Sequence, residues 1–347
     1  MALYDIDGNI LGGGTAADKI EPYFKSELAT TIASVREVQN EPCLSFALCT
    51  DIHFGSTDTT TFLHTMKNIS AMKEAVRLDG IICLGDMTDG NNTQEVTENL
   101  LSQFMPELQN LGLPVYFAAG NHDCNAYEHN GVNVFTTSQM YQHFYVRSDN
   151  NVISDMTSYG VNFYKDFDNY KIRMISLDSA KSDDGSAYHY YYPMNTVSWF
   201  VNTAMGTLPS GYSVLLISHV SPIANHNWKD TCPTNNAQVE STLRSFVNNG
   251  GDVICLIGHS HADFSFSTPW LDVAFSCNKV YQTQDKTIGP GDESWLLPMG
   301  AKIWARERGT VTEDTWDIVV IKPLSKRVNA IRFGAGEDRT YTYGSSS

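Results

Sequence analysis

The sequence predicts an α/β fold with a parallel core, on three observations. Short apolar runs of β-branched and aromatic residues alternate with stretches of helical period. Five of those runs stop abruptly at aspartate, asparagine or histidine. No internal repeat or low-complexity linker divides the 347 residues, so one large domain is expected rather than two modest ones.

The elements follow in order. Residues 1–42 open on a Gly-rich lead and continue as a helix-like stretch, "IEPYFKSELATTIASVREV", read as an N-terminal appendage packed on the core. The strand-like "LSFALCTDIH" precedes a helical "TTFLHTMKNISAMKEAVRLDG", with Gly80 as its stop. "IICLGDMTDG" is the next strand and "TQEVTENLLSQFMPELQNLG" the next helix, which leads through Pro114 to "VYFAAGNHD". This β-α-β-α-β rhythm carries the prediction of parallel strands. In the middle, "VNFYKDFDNYKIRMISLD" reads as a hairpin around Asp168-Asn169, "SDDGSAYHYYYP" as a loop and "MNTVSWFVNTAM" as a helix. The rhythm returns with "YSVLLISH", the helix "NNAQVESTLRSFVNNGG" and "DVICLIGHSH". Beyond His261, "DFSFSTPWLDVAFS" and "TWDIVVIKPLSKRVNAIRFG" predict a second sheet, and the final "YTYGSSS" is expected to be disordered. The main domain then runs over 43–335, with 336–347 as a C-terminal tail.

Composition narrows the function. Hydrophobic residues make up 42% and charged residues 18%, a globular balance. The formal net charge of −16 opposes binding to nucleic-acid duplexes or anionic membranes, and an anionic substrate would need local positive charge such as metal ions. No apolar run approaches the length of a bilayer span. The opening "MALYDIDGNILGGG" lacks the basic and apolar regions of a secretory signal, so a cytoplasmic location is expected unless a leader has been removed. The seven cysteines are odd in number and form no C-x-x-C pair, which speaks against disulfide staples.

The five strand ends carry the chemistry. They are Asp51-Ile52-His53; Asp86 with Asp89 three residues on; Asn121-His122-Asp123; His219; and His259-Ser260-His261. In open α/β sheets ligands bind beyond the carboxyl ends of the strands, so these tips converge if the runs are neighbours. Each piece alone is weak: "GNHD" fits a tight turn, and a lone His219 fits a satisfied edge histidine. Together they place five of the ten histidines at strand ends. Two aspartates, one asparagine and four histidines offer oxygen and imidazole without thiolate, a set for Zn, Fe or Mn. Seven side chains exceed one catalytic ion and suit two ions that share a carboxylate.

This series, Asp51-x-His53, Gly85-Asp86-x-x-Asp89, Gly120-Asn121-His122-Asp123, His219 and Gly258-His259-x-His261, resembles the calcineurin-like metallophosphoesterase superfamily, with all five motifs in order over residues 51 to 261. The resemblance implies a four-layer sandwich, two central mixed β-sheets flanked by helices. It implies two divalent or trivalent metal ions, one held by Asp51, His53 and His261, the other by Asn121, His219 and His259, with Asp86 bridging. It further implies a metal-bridging water as nucleophile and His122 as the group that protonates the leaving oxygen or stabilises the transition state. Asp123 is then either the orienting partner of His122 or a backbone cap in the turn.

The motifs also separate branches. Purple acid phosphatases place a tyrosine ligand where Asp89 stands, and protein Ser/Thr phosphatases carry an arginine where Gly90 stands and a Glu where Asp123 stands. The G-D-x-x-D and G-N-H-D forms look more like the bacterial phosphodiesterase branch, which includes cyclic-nucleotide phosphodiesterases. A small phosphodiester is therefore the expected substrate. The alternatives are a phosphomonoesterase of the same fold, or a non-catalytic module associated with phage or the cell surface. The latter rests on "YDIDGN" and "RFGAGEDR", and the complete ligand set argues against it. Tyr188, Tyr190, His226 and Trp228 are candidates to touch substrate, although a cluster such as Tyr188, Tyr190, Tyr191 and Tyr192 also suits edge packing. Asp178 reads as a strand-end acid in the same layer, with nothing requiring it to touch a metal.

Overall fold

The computed structural model describes residues 16–55, 59–125, 133–145, 152–155, 162–179, 190–226, 232–278, 284–292 and 297–344. The first half is the expected alternation: α1 (Lys25–Val38), β1 (Leu44–Cys49), α2 (Thr60–Ala75), β2 (Gly80–Cys83), α3 (Gln94–Asn110) and β3 (Val115–Phe117). Helix α3 starts where expected of a Thr cap, the Thr93 side chain accepting from Val96 N at 3.3 Å. A short α4 (Thr137–Met140) and β4 (Ile153–Asp155) precede the hairpin of β5 (Asn162–Phe167) and β6 (Ile172–Leu177), which turns at Asp168 to Tyr170 as the sequence predicts. Then come α5 (Met194–Trp199), β7 (Ser213–Ser218), α6 (Asn236–Asn248) and β8 (Val253–Ile257). The remainder is β9 (Phe264–Phe266), β10 (Leu271–Ala274), the ribbon β11 (Lys286–Thr287) and β12 (Lys302–Ile303), and β13 (Thr315–Lys322), β14 (Arg327–Gly334) and β15 (Arg339–Thr342).

Two mixed sheets stack face to face. One has the order β15-β14-β13-β1-β2-β3, the other β4-β5-β6-β7-β8-β10-β9. Strands β1, β2 and β3 are parallel, as are β6, β7, β8 and β10, so both sheets send their carboxyl ends the way the motifs require. Alternation along the strands divides the core. Leu215, Ile217, Ile254 and Leu256 enter the layer shared with the first sheet, while Val214, Leu216, Val253 and Cys255 meet Val197, Phe200, Val239 and Leu243 of the outer helices.

The carboxyl-terminal strands depart from expectation. They do not form a sheet of their own: β9 and β10 widen the sheet of β7 and β8, while β13 pairs antiparallel with β1, Leu44 opposite Ile321. Such pairings join segments far apart in sequence, and local pattern carries no information about them. The tail is ordered in part, since β15 pairs with β14 and Tyr343 is buried; Ser345 to Ser347 lie outside the described residues. Helix α1 lies on β13 and β14 with Val35 fully buried, and Gly334 N donates to Glu27 Oε1 at 3.2 Å.

"RFGAGEDR" spans the turn from β14 into β15, and it carries a buried arginine, Arg332, and a largely buried one, Arg339. Arg332 Nη2 stands 2.9 Å from Asp263 Oδ1 and 3.0 Å from Asp317 Oδ2; Arg339 reaches the same two carboxylates at 2.5 and 2.7 Å. Asp338 Oδ1 accepts from Arg332 N at 2.8 Å and closes the turn.

Candidate metal centre

The loops after β1, β2, β3, β7 and β8 bring all seven predicted ligands together. Their backbones are interlocked: Asp51 N donates to Gly85 O, His53 N to Asp86 O, and Gly258 N to His219 O. Gly258 is required by close approach, since a Cβ there would collide with Thr50 Oγ1. Five of the seven candidate ligands adopt left-handed backbone: Asp51 (φ 50), His53 (φ 45), Asp86 (φ 54), His259 (φ 65) and His261 (φ 53). Non-glycine residues held there cost on the order of 1–3 kcal/mol each, and such strain gathers at functional sites.

Three overlapping groups emerge: Asp51 with His53 and His261, His53 with Asp86 and His122, and Asp86 with His219 and His259. Each of the two carboxylates has one oxygen tied to the protein and one turned to the cluster. Asp51 Oδ2 accepts from Thr50 Oγ1 at 2.6 Å and His259 N at 3.0 Å, whereas its buried Oδ1 has no hydrogen-bond partner and lies 3.2 Å from His261 Nε2. Asp86 Oδ1 accepts from His122 N at 2.8 Å, while Oδ2 stands 3.8 Å from His53 Nε2 and 3.3 Å from His219 Nε2. His219 donates Nδ1–H to Leu84 O at 2.7 Å, which leaves Nε2 facing Asn121 Oδ1 at 3.1 Å. His53 Nε2 and His261 Nε2 are 3.5 Å apart. Atoms that ligate one ion at about 2.0–2.2 Å lie roughly 3–3.6 Å from one another, so the residues fit metal ions.

The electrostatics divide the histidines. Burial pushes His53 down, against Asp86, and pushes His259 down to about 3, with His219 adding to the effect; both rings are neutral, as ligands must be. Burial also opposes charge on His219, but Asp86 beside it wins and raises it to about 9. Burial disfavours the Asp86 and Asp51 carboxylates, and neighbouring histidines, His219 and His261 foremost, hold both below the usual range.

His122 stands at the edge of the cluster, its Nε2 3.9 Å from Asp86 Oδ2 and its side chain 16% exposed. Its orienting partner is the backbone carbonyl of Asp89, which accepts from Nδ1 at 2.5 Å. Of the two readings of Asp123, the structure supports the cap. Its Oδ2 accepts from Gly120 N at 2.8 Å and Asp86 N at 2.9 Å, and its Oδ1 from Met87 N at 2.7 Å. Burial and the Asp86 charge push Asp123 up to about 7, against the backbone donors. A carboxylate that gathers the backbones of two motif loops has no oxygen turned to His122. Nothing in the residue order announces the Asp89 carbonyl; Thr50, beside Asp51, was also missed, though a hydroxyl next to a candidate ligand is a signal.

The substrate candidates scatter. Tyr190 Oη lies 3.1 Å from His259 Nε2. Tyr192 is fully buried in the outer helical layer, as packing predicts. His226 stacks on Phe266 at 3.8 Å with Nδ1 3.1 Å from Asp272 Oδ2. Asp178 is buried, its amide donating to Asn162 Oδ1. Tyr188 and Trp228 lie outside the described residues.

Comparison with known proteins follows this geometry. A search of curated proteins finds no match. Among solved structures, a dimetal phosphatase from Danio rerio is 14% identical, covers 87% of this chain and 100% of its own, and superposes with a TM-score of 0.58. GAP50, the anchor in the inner membrane complex of Plasmodium, gives 10% identity, 88% and 90% coverage and a TM-score of 0.49. A 5'-nucleotidase from Candida albicans gives 17% identity, 67% and 45% coverage and 0.41. Likeness at such identities speaks to the fold alone. The family model of calcineurin-like phosphoesterases matches residues 44–263, the stretch that contains every candidate ligand. The chain belongs to that family and is a metal-dependent phosphoester hydrolase.

Proposed function

We propose that the protein hydrolyses small phosphodiesters at a dinuclear centre, with Asp51, His53 and His261 holding one ion, Asn121, His219 and His259 the other, and Asp86 shared. The observation that carries this is the single oxygen Asp86 Oδ2, which faces His53 on one side and His219 on the other. The oxygen and imidazole donors suit Mn, Fe or Zn. Two such ions, when bound, lower the pKa of water and polarise phosphoryl oxygens. The chain's own contribution is His122: with Nδ1 fixed on Asp89 O, its Nε2 is the atom placed to hand a proton to the leaving oxygen or to neutralise charge on the phosphoryl group. Asp123 acts through the backbone, holding the β2 and β3 loops together.

The preference for diesters rests on the motif forms and on Gly90. A side chain at position 90 would run into the His122 backbone, and Gly90 has a φ of 63, so the position that carries a phosphate-binding arginine in protein phosphatases is closed to one here. A diester, with one charge fewer than a monoester dianion, needs that cation less. The acidic chain is read as cytoplasmic and as avoiding nucleic-acid duplexes and membrane surfaces; no helix among the described residues is long and apolar enough to cross a membrane. Metal analysis of gently purified protein should find close to two ions per chain. A panel with Mn supplied should show an aryl phosphodiester or a cyclic nucleotide hydrolysed faster than an aryl monoester. Faster monoester turnover would reverse the preference, and metal-free protein would remove the dinuclear reading.

A further inference from the structure

Building on the dinuclear reading, we infer that Tyr190 is a positioning residue for the second metal ion, its hydroxyl accepting the Nε2–H of His259 so that Nδ1 becomes the ligand atom. The two histidines of this half-site solve the same problem differently. A neutral imidazole has one N–H and one lone pair, and whichever nitrogen is hydrogen-bonded as donor leaves the other for metal. His219 gives its Nδ1–H to the Leu84 carbonyl at 2.7 Å and presents Nε2. His259 has Nε2 3.1 Å from Tyr190 Oη, with the rings edge to face at 5.2 Å, and belongs to the same group as Asp86 and His219. Tyr190 thus stands where the carbonyl stands for His219.

The phenol is held for this role. Thr234 N donates to Tyr190 O at 2.7 Å, and Tyr192 N returns a bond to Thr234 O at 2.9 Å. Tyr191 N donates to Ser179 O at 3.2 Å, just beyond β6, and the fully buried Tyr192 fixes the segment in the outer layer. A neutral phenol adds no charge to the cluster. Partners that fix a ligating imidazole typically change metal affinity by about 10–100-fold when removed.

The test is Tyr190→Phe in the full chain, titrated with Mn(II) by calorimetry beside the wild type, with thermal melting of both metal-free proteins. The expected result is an unchanged first ion, a second ion bound about 10–100-fold more weakly, and an unchanged melting temperature. Two ions bound with wild-type affinity would overturn the inference, and a raised KM at that affinity would assign Tyr190 to substrate contact instead. Loading with Fe(III) gives a further arm: a visible phenolate-to-iron charge-transfer band in the wild type, absent from Tyr190→Phe, would make Tyr190 a direct ligand and also overturn it. A wild type that bound no Mn(II) would overturn the dinuclear reading itself, a failure distinct from that of Tyr190 alone.

Discussion

Two clusters of buried charge lie two residues apart along the chain, one around His261 and one around Asp263, and they are built on opposite terms. At Asp263, two guanidinium groups face two carboxylates, Trp304 Nε1 and Ser276 N add further donors, and charge is balanced by protein alone. At His261, aspartates and histidines crowd together, Asp51 Oδ1 is without a hydrogen bond, and the backbone is left-handed at five candidate ligands. Balanced buried charge is a structural device; the unbalanced cluster is one that a cation completes.

Removing a charge should therefore have different consequences in the two places, loss of metal in one and loss of stability with metal retained in the other. Asp86→Asn is expected to lower aryl phosphodiester hydrolysis by about a hundred- to a thousandfold and to reduce metal content, while the metal-free protein loses the Asp86–His219 ion pair and melts somewhat lower. His122→Ala should lower kcat by about 10²–10⁴-fold with both ions retained; loss of metal in that variant, measured by elemental analysis, would make His122 a ligand, a reading its place beside His53 and Asp86 keeps in view. Arg332→Met should cost up to about 3–5 kcal/mol in urea unfolding by leaving two carboxylates, Asp263 and Asp317, to the single guanidinium of Arg339, with two ions still bound wherever the chain remains folded.

The smallest effect is one of pH. Burial raises Asp263, but Arg332 and Arg339 outweigh it and hold the carboxyl at about 2 rather than 3.8. A depressed carboxyl stabilises the fold above its unfolded pKa and loses that contribution as pH falls through the folded one. Unfolding free energy of the metal-free protein should thus decline between about pH 4 and 2, by on the order of 2 kcal/mol from this group. Asp263→Asn, already less stable, should show a flatter acid limb, and an unchanged slope would remove Asp263 from the account.

The unbalanced cluster was the part most legible in the sequence, because each ligand sits at the end of a strand whose apolar run marks it locally. Asp51, Asp86, Asn121, His219 and His259 need only strand order to meet. The balanced cluster was opaque: Arg332 lies on β14 and Asp263 just before β9, strands of different sheets, so no local pattern foretells their meeting, and "RFGAGEDR" shows no period to read. The partner of His122 was hidden for another reason. A backbone carbonyl belongs to every residue, so the pattern pointed to the adjacent Asp123, whose oxygens were already taken by amides. The tail failed on composition, since tyrosine, threonine and glycine in short compass suit an edge strand as well as a loose end.

The antiparallel pairing of β13 with β1 bears on how the protein comes into being. The strand that carries Asp51 and His53 at its tip is flanked on one side by residues up to Ile321. A nascent chain that has emerged only as far as His261 holds every ligand yet lacks that neighbour, leaving a long apolar strand edge open to aggregation. The strand that carries Asp51 and His53 is therefore flanked on both sides only once β13 has been made. Slowing translation between His261 and Thr315 is expected to lower soluble yield without altering the metal affinity of the molecules that complete folding.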